Sequence, residues 1–195
     1  MMLEYARNTF LTMNETFKRI SDSETVITEL MVPSYANFGG KVHGGMILSL
    51  MDKVAYVCAA KHSRAYCVTV AVEGVDFMHP VEVGDLLTIK ASVNYTGNTT
   101  MIVGMRVETQ DPKTGATNHT NSSYFTMIAK AEDGSNLPVP GLILRSEEEL
   151  RRYCEARYLK RMSSERRKAM GSDFEGHTLE ELKAQCMGEK CRIDC

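Results

Sequence analysis

The stretch that decides the fold is Asn37-Phe38-Gly39-Gly40-Lys41-Val42-His43-Gly44-Gly45-Met46-Ile47-Leu48-Ser49-Leu50-Met51-Asp52, in which a glycine-rich turn leads into a nearly apolar run. Between residues 46 and 60 the only formally charged residues are Asp52 and Lys53. The apolar side chains of this run cover most of the circumference of a helix, and such a helix belongs in a protein interior. The pattern therefore predicts a buried helix over residues 44 to 61.

Asp52 is the only carboxylate in this predicted helix. Its neighbours on the same helical face are Leu48, Ala55 and Tyr56, so that face offers no cationic partner. Burying an unpaired carboxylate costs roughly several kcal/mol unless hydrogen bonds or a raised pKa relieve it. We therefore expect Asp52 to act as an acid, a base or a nucleophile. The structural alternative is that Asp52 lies on a solvated stripe or caps a neighbouring loop.

Glycines lie at the predicted start of the helix. Gly44 and Gly45 fall where the helix should begin, and glycine allows a ligand to approach the backbone closely. The first turn of a helix has free N–H groups and a partial positive charge, so an uncovered N–H at Gly45 can hold a developing oxyanion. Asp52 lies about 10 Å further along the helix. Both groups can then serve one acyl group, provided that a neighbouring element folds over to meet it; the alternative is a tight loop without a ligand.

The rest of the chain predicts antiparallel strands around this helix. Alternating or β-branched runs, separated by turn residues, predict strands over residues 24–32, 67–77, 86–95, 101–110 and 117–129. Sequential strands of this kind need a layer that covers their inner face, and the apolar helix supplies it. We expect an α+β fold in which a curved antiparallel sheet of five to six strands wraps around one long central helix.

Several motifs in this order resemble the hotdog-fold acyl-CoA thioesterases, in the acyl-CoA hydrolase branch of bacterial single-domain enzymes and cytosolic animal enzymes. The first motif is Asn37-x-x-Gly40-x-x-His43-Gly44-Gly45 followed by Leu50-Met51-Asp52. Matching segments follow at residues 69–77, 80–85, 95–100 and 137–140. The resemblance covers about residues 20 to 162. It implies the hotdog fold, which the pattern of strands and helix also indicates.

The resemblance implies catalytic residues for hydrolysis of fatty acyl-CoA to a fatty acid and coenzyme A. Asp52 is expected to be the general base, or a nucleophile that forms a mixed anhydride, and Asn37 to position the water or the thioester. The backbone N–H of Gly45 would hold the oxyanion. His43 would orient the loop or contact the substrate. In the family the matching Asn and Asp meet across a dimer interface, so we expect a homodimer as the unit and a trimer of dimers as the full assembly.

Coenzyme A carries phosphates and a long pantetheine arm. Gly44 and the hairpin threonines Thr99 and Thr100 are expected to contact it, as the resemblance implies. Arginines of the C-terminal segment are candidate partners for its phosphates: Arg151, Arg152, Arg157 and Arg161. The alternative for these arginines is a solvated helix face.

The flanking segments predict helices outside the main domain. Residues 1–20 show a weak amphipathic rhythm, which predicts an N-terminal helical extension. Ser146 precedes three glutamates and, later, basic residues, an order that suits a capped helix. We expect a hotdog domain over residues 21–145 and a partly flexible C-terminal helical extension over residues 146–195, with a possible short helix over residues 179–186.

Size and composition agree with a compact, soluble enzyme subunit. The chain has 195 residues, 43% of them hydrophobic, and 23 basic against 25 acidic residues give a net charge of −2. This balance argues against nucleic acid or a membrane surface as a partner. The first residues lack the apolar core of a secretory signal, so we expect a cytoplasmic protein. We expect no metal and no cofactor, because the spacing of Cys186, Cys191 and Cys195 does not match a zinc site.

Two other functions are compatible with the predicted fold. A hotdog hydratase or dehydratase would use a His with an Asp or Glu in a different, proline-bearing motif at the helix entrance. A non-catalytic acyl-CoA sensor would bind the thioester without cleaving it, and would lack the Asp and usually carry an effector domain. The sequence shows neither departure.

Overall fold

The computed structural model describes residues 17–173, 176–188 and 190–193, without the side chains of residues 171–173. The strands and helices in chain order are β1 (Phe17–Arg19), β2 (Thr25–Leu30), α1 (Gly44–Ser63), β3 (Tyr66–Glu73), β4 (Leu86–Thr96), β5 (Thr100–Gln110), β6 (Thr117–Lys130), β7 (Gly141–Ile143), α2 (Glu147–Asp173) and α3 (Leu179–Gln185). Two 3-10 turns lie at Ile20–Asp22 and Pro33–Tyr35.

Five strands form one antiparallel sheet in the order β2-β4-β5-β6-β3. Strands β2 and β3 are therefore its two edges. Alternate residues of β4, β5 and β6 point towards α1 and are buried, as the two-residue period of a strand requires. The predicted α+β class and the sheet around a central helix are confirmed.

Helix α1 begins at Gly44 as predicted and ends two residues later than predicted. Arg64 ends it in the left-handed region (φ 58°) and donates its backbone N–H to the Ala60 carbonyl at 2.8 Å. One side of α1 packs on the sheet through buried residues: Ile47, Leu50, Met51, Val54, Ala55, Cys58, Ala59 and His62. In the described part of the chain the other side of α1, which carries Asp52, is exposed.

The N-terminal prediction is wrong where the structure tests it. Residues 1–16 of the predicted helix lie outside the described residues, but Phe17–Arg19 forms strand β1, which pairs in parallel with β7. A 3-10 turn then covers Ile20–Asp22. The local rhythm could not reveal this pairing, because its partner strand lies far along the chain and tertiary contacts override a weak helical propensity.

The C-terminal helices agree with the predicted helical segment. Ser146 precedes α2, and its hydroxyl accepts the N–H of Glu149 at 3.1 Å. The chain divides into two compact units, residues 1–157 and 158–195. In the described residues no helix is both long and apolar enough to cross a membrane.

Candidate active site

His43 caps the start of helix α1. Its backbone is extended, and its Nδ1 accepts the N–H of Gly45 at 2.9 Å. A Cβ on Gly45 would lie 2.8 Å from the imidazole Cε1, so glycine at this position lets the ring fold over the first turn. The predicted oxyanion role of the Gly45 N–H requires that no side chain covers this group. In this structure the imidazole of His43 accepts its hydrogen bond.

Gly44 supplies a second backbone donor beside the first. No hydrogen bond joins its N–H to another residue in the described part of the chain. A Cβ on Gly44 would lie 3.3 Å from the ring of Phe77, so the glycine keeps the helix start close to this half-exposed aromatic side chain. The N-terminal end of α1 therefore presents one free N–H and one N–H held by His43.

Asn37 folds its own loop into a fixed shape. Its side-chain Oδ1 accepts the backbone N–H groups of Gly39 at 2.8 Å and Lys41 at 3.2 Å. Its backbone N–H also donates to the Lys41 carbonyl at 2.7 Å, and Gly40 takes a positive φ of 77° in the turn. Because the amide oxygen is engaged, Asn37 can act on a substrate only through its Nδ2 donor.

Asp52 is held by a threonine on the neighbouring edge strand. The hydroxyl of Thr69 in β3 donates to Asp52 Oδ1 at 2.6 Å, a short distance typical of a hydrogen bond to a carboxylate. Thr69 also lies 3.2 Å from the Met127 sulfur in β6. The hydrogen bond from Thr69 fixes the orientation of the Asp52 carboxylate. It leaves Oδ2 without a hydrogen bond from the described residues.

A cavity of about 540 Å³ opens next to Asp52 and Thr69. Most of its other walls are apolar or aromatic, and they are Tyr56, Val57, Tyr66, Cys67, Val68 and Met127, with Lys53 as the charged neighbour. The Tyr56 and Tyr66 rings lie 6.1 Å apart on one side of it. Asn37, His43 and Gly45 do not line this cavity, so one chain alone does not bring the predicted catalytic residues together.

Asp52 is exposed in the single chain, so the predicted burial of its carboxylate is wrong for one protomer. The residues around it are nevertheless apolar: Tyr56 and Val57 in α1 are each 41% exposed. On the edge strand β3, Tyr66 and Val70 are also exposed. The stripe of α1 that was predicted to be buried is thus a solvent-facing apolar surface beside β3, a sheet edge that pairs with no further strand of the described residues.

The predicted coenzyme A threonines lie at the β4–β5 hairpin. Gly97 donates its N–H to the Thr100 carbonyl at 2.7 Å and closes this turn, which contains Thr99. The next residue, Met101, pairs with Met127, and Met127 also pairs with Thr69 across β3 and β6. The hairpin therefore lies next to the cross-strand row that contains Thr69, a residue that lines the cavity.

The predicted coenzyme A arginines lie elsewhere. Arg151 and Arg152 in α2 pair with Glu148, at 2.8 and 2.7 Å, and line a cavity on the sheet face that points away from α1. Arg157 is exposed. In the second compact unit, the Arg161 guanidinium lies 5.3 Å from the Tyr158 ring centroid. The sheet thus separates Arg151 and Arg152 from Asp52 of the same protomer.

The cysteines near the site are poor nucleophiles. Burial raises the pKa of the Cys58 thiol to about 12. Burial likewise raises the pKa of the Cys67 thiol, whose sulfur lies 3.2 Å from the Ser63 hydroxyl. Both groups are therefore protonated near neutral pH, and a thiol reacts far more slowly than a thiolate. The described residues also contain no cluster of three His, Cys, Asp or Glu side chains arranged to hold a metal ion.

Thr69 is the site residue that sequence reasoning missed. The resemblance included it only as the start of a matching strand, and threonine is common in strands for reasons of packing alone. One signal pointed to it: its hydroxyl stands on the face of β3 that carries the buried Cys67, where an apolar side chain is the ordinary choice.

Comparisons with known proteins agree with this fold. The sequence profile of the Thioesterase superfamily matches residues 39–116. Protein VdlD of Helicobacter pylori is 47% identical over 131 residues, which cover 67% of this chain and 75% of that protein. Among solved structures, a hexameric acyl-CoA thioesterase superposes with a TM-score of 0.75 and 35% identity, over 77% of this chain and 96% of that one.

An acyl-CoA hydrolase from Staphylococcus aureus, solved with butyryl coenzyme A, coenzyme A and coenzyme A disulfide, is also similar. Its TM-score is 0.75 at 27% identity, with 82% of this chain and 97% of that chain covered. The same enzyme was solved with an Asn, an Asp or a Thr replaced by Ala. Fold, sequence and the Asp-bearing central helix agree: the chain belongs to the hotdog-fold acyl-CoA thioesterases and is an acyl-CoA thioester hydrolase.

Proposed function

We propose that this enzyme hydrolyses fatty acyl-CoA at a site between two copies of the chain, with Asp52 as the general base or the nucleophile. The hydrogen bond from Thr69 to Asp52 carries the proposal, because it fixes Oδ1 and leaves Oδ2 without a hydrogen bond from the described residues. Apolar walls beside the carboxylate suit a fatty acyl chain.

The spacing of three residues supports this assignment. The Asn, Asp and Thr positions replaced in the Staphylococcus aureus enzyme are 15 and 17 residues apart. Asn37, Asp52 and Thr69 are separated by the same numbers of residues. We therefore assign these three side chains to one catalytic group.

A thioester needs only a modest catalytic site, because sulfur donates poorly into the carbonyl. In the base path, Asp52 Oδ2 takes a proton from water while the water oxygen bonds to the carbonyl carbon. The resulting oxyanion re-forms the carbonyl, the C–S bond breaks, and Asp52 returns the proton to the coenzyme A thiolate. In the nucleophile path, Oδ2 itself bonds to the carbonyl carbon and expels the thiolate, and water then hydrolyses the mixed anhydride.

Two donors stabilise the oxyanion in this proposal. One is the Gly45 N–H, which His43 must release. A neutral hydrogen bond contributes about 1 kcal/mol and a hydrogen bond to a charged group about 1.5–3 kcal/mol. The Gly45 N–H therefore gains free energy when its acceptor changes from the neutral imidazole to the oxyanion. The other is Nδ2 of Asn37, whose oxygen is already engaged in its loop.

We propose that Asn37 comes from the partner subunit. Asn37 does not line the Asp52 cavity of its own chain, and the exposed apolar surface around Asp52 lies beside the edge strand β3. Pairing of two β3 edges covers this surface and removes the unpaired edge. A solved relative is hexameric, which supports a trimer of such dimers as the full assembly.

Coenzyme A would extend along the β4–β5 hairpin. Thr99 and Thr100 lie at the end of the sheet that holds the cavity, and the Gly44 N–H, to which no described residue offers an acceptor, is a donor near the helix entrance. Arg151 and Arg152 can reach only the coenzyme A bound at another subunit's Asp52, since the sheet lies between. Contacts of Arg157 and Arg161 with the phosphates, and the cytoplasmic location, stay predictions.

Release of coenzyme A thiol from a panel of acyl-CoAs tests this function. The wild-type enzyme should release thiol, and Asp52→Asn should lower kcat by at least about 100-fold, since general acid–base catalysis contributes about 10²–10⁴. Asp133→Asn, at an exposed turn, is the matched control and should keep wild-type activity. Tight binding without any thiol release would favour an acyl-CoA sensor instead.

A further inference from the structure

A second cavity, of about 480 Å³, lies on the face of the sheet that points away from α1. Its floor is formed by β4, β5 and β6, and the first turns of α2 form one wall. All of these elements up to residue 157 belong to one compact unit. We refer to this space as the outer cavity; the Asp52 site lies on the opposite face of the sheet.

The floor of the outer cavity contains a buried amide with an unused donor. Asn94 is only 4% exposed, and its Oδ1 accepts the hydroxyl of Ser92 at 2.9 Å. Within the described residues nothing accepts a hydrogen bond from Asn94 Nδ2, which borders the cavity. This donor is therefore open to the cavity, where a bound molecule can accept a hydrogen bond from it.

Gly104 makes room for two side chains of the floor. It pairs with Ser92 on one side and with Tyr124 on the other. A Cβ on Gly104 would lie 2.8 Å from Asn94 Nδ2 and 3.0 Å from the Tyr124 ring. Glycine in the middle of a strand weakens it, and here it is needed because Asn94 and Tyr124 approach its Cα closely, which fixes the position of the Asn94 amide.

Charged side chains line the walls of the outer cavity. Four are cations, Lys90, Arg106, Arg151 and Arg152, and two are carboxylates, Glu24 and Glu155. Lys90 and Arg106 both pair with Glu108, and Arg151 pairs with Glu148 and Glu155. Carboxylates therefore balance most of this positive charge, and Arg106 and Arg152 are the lining cations whose two Nη groups donate to none of the described residues.

Arg152 offers an open guanidinium fork to this space. Only its Nε is hydrogen-bonded, to Glu148 at 2.7 Å, in the described part of the chain. Its two Nη groups are left with the planar geometry that binds phosphate or carboxylate in a bidentate manner.

We propose that the outer cavity binds an oxyanion-bearing small molecule, with the Arg152 fork on a phosphate or carboxylate group and Asn94 Nδ2 donating to an acceptor oxygen. Two sources share this chemistry: a free small anion, and the phosphates of coenzyme A held at a neighbouring subunit's active site. The proposal does not depend on the catalytic role of Asp52.

Calorimetric titration of the full-length enzyme with pyrophosphate, phosphate and succinate tests the proposal. We expect saturable binding of at least one of these anions, at one per protomer. Gly104→Ala, whose Cβ would displace the Asn94 amide, and Arg152→Gln, an exposed change that leaves the fold intact, should each weaken binding at least tenfold. Arg145→Gln removes the same charge outside the cavity and should bind as the wild type does; Asp52→Asn should also bind normally.

Coenzyme A distinguishes the two sources. If the phosphates of coenzyme A fill the outer cavity, saturating coenzyme A displaces the bound anion, and Arg152→Gln raises the KM for acyl-CoA. If the ligand is a free anion, coenzyme A does not displace it, and Arg152→Gln leaves the KM unchanged. Absence of saturable binding for all three anions, or wild-type affinity in both Gly104→Ala and Arg152→Gln, would overturn the proposal.

Discussion

The Thr69 hydroxyl donates to Asp52 Oδ1 at 2.6 Å and joins the central helix to the edge strand at the carboxylate that we propose to be catalytic. A lost hydrogen bond to a charged group is worth about 1.5–3 kcal/mol, or roughly 10- to 100-fold in rate. Thr69→Val should therefore lower kcat by roughly 10- to 100-fold in the thiol-release assay. Thr69→Ser keeps the hydroxyl and should retain most of the activity; equal losses in both variants would show that the hydrogen bond is not the cause.

Substitution of His43 distinguishes a structural role of its imidazole at the helix entrance from a catalytic role. His43→Ala removes the cap from Gly45 and should destabilise the enzyme by about 0.5–2 kcal/mol in chemical denaturation. Because it also frees the Gly45 N–H, kcat should fall by no more than a few fold. His79→Ala, at an exposed position outside both cavities, should change neither quantity. A 100-fold loss of kcat in His43→Ala would assign the imidazole a direct catalytic role.

The exposed edge of β3 should hold the dimer together. Val70→Lys places a charge on this edge, where two copies would bring the same charge together, and should shift the enzyme to monomers in light scattering with loss of activity. Leu30→Lys puts the same charge on the opposite edge strand, β2, and should leave the dimer intact. If the Val70→Lys variant remains dimeric and active, the dimer interface lies elsewhere.

Several features of the fold could be predicted from sequence because they have local causes. The start of α1 at Gly44 follows from the glycine pair and the apolar run, and the hairpin turns follow from residues such as Gly97. The exposure of Asp52 could not be predicted. The apolar pattern of α1 indicates that its faces are shielded from water. It does not show whether the same chain buries a face or whether a second copy covers it, as we propose for the surface that contains Tyr56 and Val57.

Side-chain geometry accounts for the rest of the differences. The occupied Oδ1 of Asn37, the His43 cap and the contact of Thr69 depend on rotamers and on strand register, which residue types alone do not specify. The parallel pairing of β1 with β7 joins segments that lie far apart in the sequence, so no local pattern could indicate it.

His62 makes folding stability depend on pH. It is fully buried, its Nε2 lies 2.9 Å from the Pro140 carbonyl, and its Nδ1 has no partner among the described residues. Burial lowers its pKa below the ordinary 6.5, so the unfolded state binds the proton more readily. Its contribution is complete above about pH 6.5 and is lost as the pH falls through the lowered folded-state pKa.

Denaturation midpoints at pH 7.5 and pH 5.5 measure this effect. The wild type should lose stability between these values, and His62→Gln, which keeps a polar side chain but does not titrate, should be less stable at pH 7.5 yet change less with pH. A pH response of equal size in both proteins would exclude His62 as its source.

Mixing of two inactive variants tests most directly whether one active site takes Asp52 from one subunit and Asn37 from its partner. After denaturation and joint refolding of Asp52→Asn and Asn37→Ala, half of the dimers should be mixed, and each mixed dimer should contain one site with both native residues. We expect the mixture to recover about a quarter of wild-type thiol-release activity, since each mixed dimer has one intact site of two. Activity no higher than the average of the two separate variants would contradict a shared site.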